Sequence, residues 1–287
     1  MRIFLTGGTG FIGSHFLRQA LAAGHQVTAL RRSATSRPRI ALAQEPVWLN
    51  RAMPEVTPDE LAGHDVLVHL AAVGVSPQKA DWATLLRVNV TESLALWLQA
   101  AEAGLDRFVI CGSCFEFGKS GERYEFIPPD APLEPTTAYA ASKAAATMTA
   151  VALARERGLR MMVARPFHTF GEGQHESNLW PSLQRAALAG EDFPMTPGDQ
   201  VRDYTPVEEI ARQLLAAAEL VDVLPGHPSI RNLGAGRPES LRGFAESWWT
   251  RWNASGRLLF GAQDYRPDEV MRYVPKLSEF SVPGHSG

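Results

Sequence analysis

"RIFLTGGTGFIGSHFLRQALAAGHQVTALRRS", residues 2–33, decides the fold. Residues 2–6 form an apolar run that ends at a glycine cluster. Beyond it, Phe11, Ile12, Phe16, Leu17, Ala20 and Leu21 recur at helical spacing. Gly24 stands where such a helix stops, and "QVTAL" reads as a buried parallel strand. Strand, glycine turn, helix and strand make a β-α-β unit. Gly7, Gly10 and Gly13 fall in its first turn, where a tight bend, close approach of backbone to a pyrophosphate and close helix–sheet packing all favour glycine. The helix start then offers free N–H groups and a positive dipole end to an anion. The stretch therefore predicts a dinucleotide site that uses Gly7, Gly10, Phe11, Ile12 and Gly13.

The end of the second strand reports on which dinucleotide binds. NAD sites usually place an acid there for the ribose hydroxyls. Here Arg31 and Arg32 follow "VTAL". Cationic forks suit a 2′-phosphate, so the sequence points to NADP(H), with NAD(H) as the alternative.

The α/β alternation continues through strands at "DVLVHLAA" (65–72), "DRFVICGS" (106–113) and "RMMVARP" (160–166). Long helices are expected over 81–103 and 138–157. The fold class is α/β: a Rossmann-type, doubly wound parallel sheet with a smaller C-terminal substrate-binding lobe. The expected division is a dinucleotide-binding domain of residues 1–165 plus 206–236, and a lobe of 166–205 plus 237–287. Ligands of such sheets bind beyond the carboxyl ends of the strands. Leu70, Ala71, Ala72 and Pro166 close strands there and are expected beside the cofactor.

The 287 residues include 45% hydrophobic and 21% charged side chains, enough for a sizeable core. A net charge of -3 with no long basic run argues against nucleic acid or an anionic membrane as partner. No apolar run is long enough to span a bilayer and no leader pattern opens the chain, so a cytoplasmic setting is expected. Cys111 and Cys114 are the only cysteines. Without further ligands at metal spacing or a redox fold around them, they are read as packing thiols with no metal bound.

Tyr139 and Lys143 are spaced Y-x-x-x-K, which places both on one helix face. An ammonium beside a phenol favours the phenolate, lowers its pKa and makes tyrosine a usable acid/base.

"TGGTGFIG", "HLAA", "VNV" around Asn89, Ser113 at a strand end, "YAASK", "ARPFHTFGEG" and "VRDYTPVEE" follow one another as in the extended short-chain dehydrogenase/reductases, and the chain resembles their NAD-dependent epimerase/dehydratase group from residue 1 to about 275. The resemblance implies that Ser113 holds the substrate oxygen and Tyr139 passes the proton. Lys143 would hold the nicotinamide ribose, and Asn89 would lie at the cofactor. Asn178 and Arg202 match residues that contact a nucleotide-sugar diphosphate, and Arg266 would supply a second arginine. Cys114 and His168 would line the sugar pocket, and His175 is a further histidine candidate. Cys114 and Phe115 stand where the family's dehydratases carry an Asp-Glu pair, so the elimination acid and base are missing. In the resembling family the two long helices also pair into a dimeric four-helix bundle. Three functions follow: NADPH-dependent reduction of a keto group, at C4, of a nucleotide-linked deoxysugar; an NAD-dependent nucleotide-sugar 4-epimerase; and a catalytically silent NADP-sensing protein, which the intact Ser113, Tyr139 and Lys143 argue against.

Overall fold

The computed structural model describes residues 1–219, 222–266 and 269–277; residues 278–287 of the expected lobe lie outside the described residues. Seven strands build one sheet: β1 (Arg2–Thr6), β2 (Gln26–Arg31), β3 (Val47–Asn50), β4 (Val66–His69), β5 (Arg107–Cys111), β6 (Arg160–Pro166) and β7 (Ser229–Leu233). Their order is β7-β6-β5-β4-β1-β2-β3, and every neighbouring pair is parallel. The chain reverses its direction of build between β1 and β4, which opens a crevice at their carboxyl ends.

Side-chain alternation assigns the two faces. Ile3 and Leu5 of β1 join Phe16, Leu17 and Ala20 of α1 (Phe11–Ala22) on one face, while Phe4 points to the other. Phe108 and Ile110 of β5 pack with Leu96, Trp97 and Ala150 on that second face. These side chains are fully or almost fully buried, and each Ile, Leu and Phe among them contributes about 1.5–3 kcal/mol by leaving water.

The expected helix over 81–103 is a composite. Asp81 caps α2 (Trp82–Leu86) by accepting from the Thr84 N–H at 2.7 Å. A π-helical segment, Arg87–Glu92, then leads into α3 (Ser93–Glu102). The Ser93 hydroxyl donates to the Val88 carbonyl at 3.0 Å inside the widened segment, which carries Asn89 into the interior. The helix α4 (Ala138–Arg157) runs where the sequence places it and ends at Gly158 in the left-handed conformation. The strand expected over 65–72 stops at His69, which leaves residues 70–75 as a loop at the crevice.

The remaining elements form the second lobe and its return to the sheet. Helices α5 (Leu179–Ala189) and α7 (Leu241–Arg251) share a core of Leu183, Ala186, Met195, Ala245 and Trp249. Between them, α6 (Val207–Glu219) packs back onto the main sheet through Ile210, Ala211 and Leu214. Short strands tie the lobe together: Val201–Arg202 lies between Glu239–Ser240 and Arg272–Tyr273. Among the described residues no helix is long and apolar enough to cross a membrane.

Candidate active site

The crevice begins with the glycine turn. Gly7 adopts φ +75, and a Cβ there would meet the Ala71 nitrogen and Leu70 carbonyl carbon at 2.6 Å. A Cβ on Gly13 would stand 2.1 Å from the Gly7 carbonyl oxygen. The turn, the start of α1 and the loop after β4 therefore meet backbone to backbone. Gly10 caps α1 with no side chain bonded to the helix end, and no acidic residue lies in the first turn. Phe11 and Ile12 open that turn half-buried, with N–H groups that have no partner within the helix. The cradle fits a pyrophosphate. Ala72 continues the same loop half-buried, and Pro166 ends β6 on the far side.

Ser113, Tyr139 and Lys143 converge across the crevice. Ser113 follows β5 and caps a short 3-10 turn, Cys114–Phe117, its hydroxyl accepting from the Phe115 N–H at 3.3 Å. Lys143 is buried and its Nζ donates to the Cys111 carbonyl at 2.7 Å. Burial pushes the Tyr139 phenol well above its ordinary value, while hydrogen bonding with the Ser113 hydroxyl pulls it the other way. The depressed phenol expected from Lys143 is therefore not what this arrangement gives. The ammonium is engaged by a carbonyl, and desolvation dominates.

The amide of Asn89, expected at the cofactor, braces the loop after β4. It accepts from the Val73 N–H at 2.9 Å and donates to the Val73 carbonyl at 3.1 Å and the Ser142 hydroxyl at 3.0 Å. The loop after β4 is thus fastened to the helix that carries Tyr139.

Arg31 ends β2 in register with Asn50 of β3. Its Nε donates to Asn50 Oδ1 at 2.7 Å, and its guanidinium lies 4.6 Å over the Trp48 ring. Asn50, which the family resemblance offers in place of an adenine-contacting Asp, and Trp48 hold Arg31 in place. Arg32 is exposed beside it.

The residues expected to meet substrate are more varied. Arg202 is buried; its Nη2 donates to Glu269 Oε1 and the Val270 carbonyl, and its Nη1 to the Val201 carbonyl. Pairing with the adjacent Asp203 does not occur. Asp203 instead accepts from the N–H groups of Ala235, Gly236 and Arg237, which fastens the loop after β7 to the lobe. Asn178 sits at the start of α5 without a side-chain cap bond and half-buried. Arg266 is exposed. His175 pairs locally with the Ser177 hydroxyl. His168 lies among Phe115, Tyr204 and Tyr273, and its Nδ1 is buried without a hydrogen-bond partner. Burial and the nearby Arg202 charge lower its pKa to about 3, so the ring is neutral. Cys114 packs with Phe117, Ile127, Phe167 and Tyr273, and burial raises its thiol to about 12. Cys111 ends β5 half-buried, its thiol also raised by burial.

Two groups that sequence reasoning missed support the site from beneath. His69 is buried between the Thr6 and Ser93 hydroxyls, each 3.0 Å from a ring nitrogen, and Thr6 also accepts from the Ala71 N–H. Glu116 and Arg165 form an ion pair at 2.8 Å with side chains 0% and 1% exposed. The only signal for either was a polar residue inside an apolar run.

Comparison with known proteins agrees with this geometry. The model of the NAD dependent epimerase/dehydratase family matches residues 3–234. A dTDP-glucose 4,6-dehydratase from Streptomyces niveus is 32% identical over 214 residues, covering 68% of this chain and 62% of that protein, so the match spans less than two thirds of its length. A UDP-glucose 4-epimerase from Neisseria meningitidis serogroup B is 29% identical over 276 residues, 84% of this chain and 79% of the relative. A GDP-6-deoxy-D-mannose reductase from Pseudomonas aeruginosa is 31% identical over 218 residues, 73% of this chain and 67% of the relative. The solved structure of MoeE5 in complex with UDP-glucose and NAD is similar with a TM-score of 0.79 at 26% identity, over 96% of this chain and 90% of that one.

Proposed function

Because the chain belongs to the NAD-dependent epimerase/dehydratase family of nucleotide-sugar enzymes, we propose that it reduces a keto group, at C4, of a nucleotide-linked deoxysugar with NADPH. The observation that carries the reading is Arg31, held at the end of β2 by Asn50 and Trp48 where an NAD site would present a carboxylate. A guanidinium there attracts a 2′-phosphate and gives the ribose hydroxyls no acceptor. NADPH, when bound, supplies the hydride.

The chain's own groups handle the oxygen and its proton. Ser113 orients the carbonyl oxygen, and Tyr139 delivers the proton to it. The phenol is protonated at neutral pH and carries the proton that the carbonyl oxygen takes up. Lys143 holds the nicotinamide ribose and restores charge balance when the phenol gives up its proton. Asn178, Arg202 and Arg266 would meet the diphosphate, with Arg202 exchanging Glu269 for phosphate oxygens. Cys114 and Phe115, the latter 49% exposed, take the two places of the dehydratases' Asp-Glu pair, which leaves elimination without its acid and base. A pair of protomers through α2–α3 and α4 is part of the proposal, supported by the exposed Trp82, Leu86 and Met148 on those helices.

A 4-epimerase is the second reading, favoured by the Neisseria relative and by the NAD bound to MoeE5. Cofactor titration tests the choice. The wild type should bind NADPH more tightly than NADH, and Arg31→Asp should weaken NADPH by about 1.5–3 kcal/mol while sparing NADH. A wild-type preference for NADH would remove the reason for ranking reduction first.

A further inference from the structure

The Glu116–Arg165 pair lies directly beneath the reacting hydroxyl, and the mechanism above does not use it. Glu116 Oε1 accepts the backbone N–H of Ser113 at 2.7 Å. Its other oxygen, Oε2, accepts from Arg165 Nε at 2.8 Å. Arg165 ends in two further restraints: Nη1 donates to the Pro129 carbonyl at 2.9 Å, and the guanidinium lies 4.7 Å over the Phe117 ring. The turn that starts with Ser113 is thus tied through one carboxylate to β6, and through Arg165 to the segment at 129.

A buried ion pair is a costly way to stabilise a fold, since well-packed apolar side chains do as well or better. It is a good way to fix a direction. Both carboxylate oxygens are engaged, so Glu116 has one orientation, and the Ser113 N–H has one partner. The space around it is full. A Cβ on Gly112 would meet Glu116 Oε1 at 2.7 Å and Arg165 Cγ at 3.0 Å. The strand therefore passes directly over the pair, and Ser113 cannot turn without breaking it.

Resting on the assignment of Ser113 as the hydroxyl that holds the substrate oxygen, we propose that Glu116, locked by Arg165, is a positioning residue that sets the direction of that hydroxyl toward Tyr139 and the substrate. Glu116 touches neither cofactor nor substrate and acts only through Ser113.

A double-mutant cycle separates positioning from support of the fold. Glu116→Gln keeps volume but opposes the Arg165 Nε–H with an amide or leaves Ser113 without its charged acceptor. In the wild-type background kcat should fall ~10- to 100-fold, with NADPH Kd and sugar KM within about threefold, as expected for misplacement of one reacting contact. In the Ser113→Ala background the same substitution should change kcat less than about twofold, because the group it positions is gone. An equal loss in both backgrounds, or no loss in the first, overturns the proposal. If Glu116→Gln does not fold, Glu116→Met/Arg165→Met removes both charges together. It should melt near the wild-type temperature and still lose turnover; retained turnover overturns the proposal. The cycle is run on whichever nucleotide sugar the wild type converts, keto or C4-hydroxy, so failure of the reductase reading leaves it intact. A substrate-free arm covers an enzyme that converts neither. The Ser113 amide should exchange with solvent ~100-fold faster in Glu116→Gln than in the wild type while β5 amides hold their rates. Unchanged Ser113 exchange overturns the proposal.

Discussion

Gly13→Ala offers the most direct perturbation of the cofactor cradle. The added Cβ would stand 2.1 Å from the Gly7 carbonyl oxygen, 2.8 Å from its carbon and 3.0 Å from Gly8 Cα. Ordinary contact begins near 3.4 Å, so α1 and the turn must part by more than about 1 Å. The turn cannot retreat, because Gly7 already lies against the backbone of Leu70 and Ala71, where a Cβ would meet atoms at 2.6 Å. Nor is there slack within it: the Gly10 N–H donates to the Gly7 carbonyl at 2.9 Å. The helix has to move, and with it the packing of Phe16, Leu17 and Ala20 on the sheet. Overpacking of this kind costs about 1–3 kcal/mol of stability. Misplacing the helix end by about 1 Å should weaken NADPH binding ~100-fold. Gly24→Ala is the matched control. Gly24 has φ +78 and nothing within 4 Å of its virtual Cβ, so its substitution meets only left-handed backbone strain of about 1–2 kcal/mol. Thermal melts and fluorescence titration of NADPH on both variants measure the two effects. The reasoning fails if Gly13→Ala binds NADPH like the wild type, or if Gly24→Ala loses affinity to the same degree.

Tyr139→Phe removes the transferable proton and preserves shape, so turnover should drop by ~10²- to 10⁴-fold with NADPH affinity little changed; near-wild-type rates would refute its role. Cys114→Ser should keep turnover within about tenfold, and the wild-type Cys114 thiol, raised to about 12 by burial, should resist iodoacetamide at pH 8 in the folded protein. Rapid alkylation there would contradict the packing assignment. Stability should also depend on pH through His69, whose pKa burial lowers from 6.5 to about 3. The unfolded chain takes up this proton below pH 6.5 and the folded one does not, so stability is lost as pH falls, by about 2 kcal/mol between pH 6.5 and 5 from this group alone. Equilibrium unfolding at the two pH values, compared with His69→Asn, checks it; an equal fall in the variant would assign the loss elsewhere.

The sheet was legible because its signals are local and periodic. The glycine turn, the apolar runs of the strands and the helix over 138–157 each follow from a few adjacent residues. The places of Ser113, Tyr139 and Lys143 in the fold were legible because strand-end position and i, i+4 spacing are one-dimensional facts. What stayed hidden depends on partners far along the chain. Asp203 reads as a neighbour for Arg202, yet its partners are backbone N–H groups at 235–237, which only the folded lobe brings near. The π segment at 87–92 does not alter the apolar rhythm that suggested one helix, and the brace that Asn89 makes to Ser142 depends on it. The phenol of Tyr139 is set by burial, a three-dimensional quantity, and not by the spacing to Lys143. Arg31 was visible as a charge, whereas Trp48 and Asn50 become its supports only through the β2–β3 register.

The central claim, net reduction of a keto nucleotide sugar at the expense of NADPH, is tested most directly by following NADPH absorbance against matched sugars. Nucleotide-linked 4-keto-6-deoxyhexoses should consume one NADPH per product formed, with the C4 hydroxyl appearing in the product and Tyr139→Phe abolishing the change. Nucleotide sugars without a keto group should consume none. Interconversion of a C4-hydroxy nucleotide sugar with no net loss of NADPH absorbance would contradict the account and establish the epimerase reading in its place.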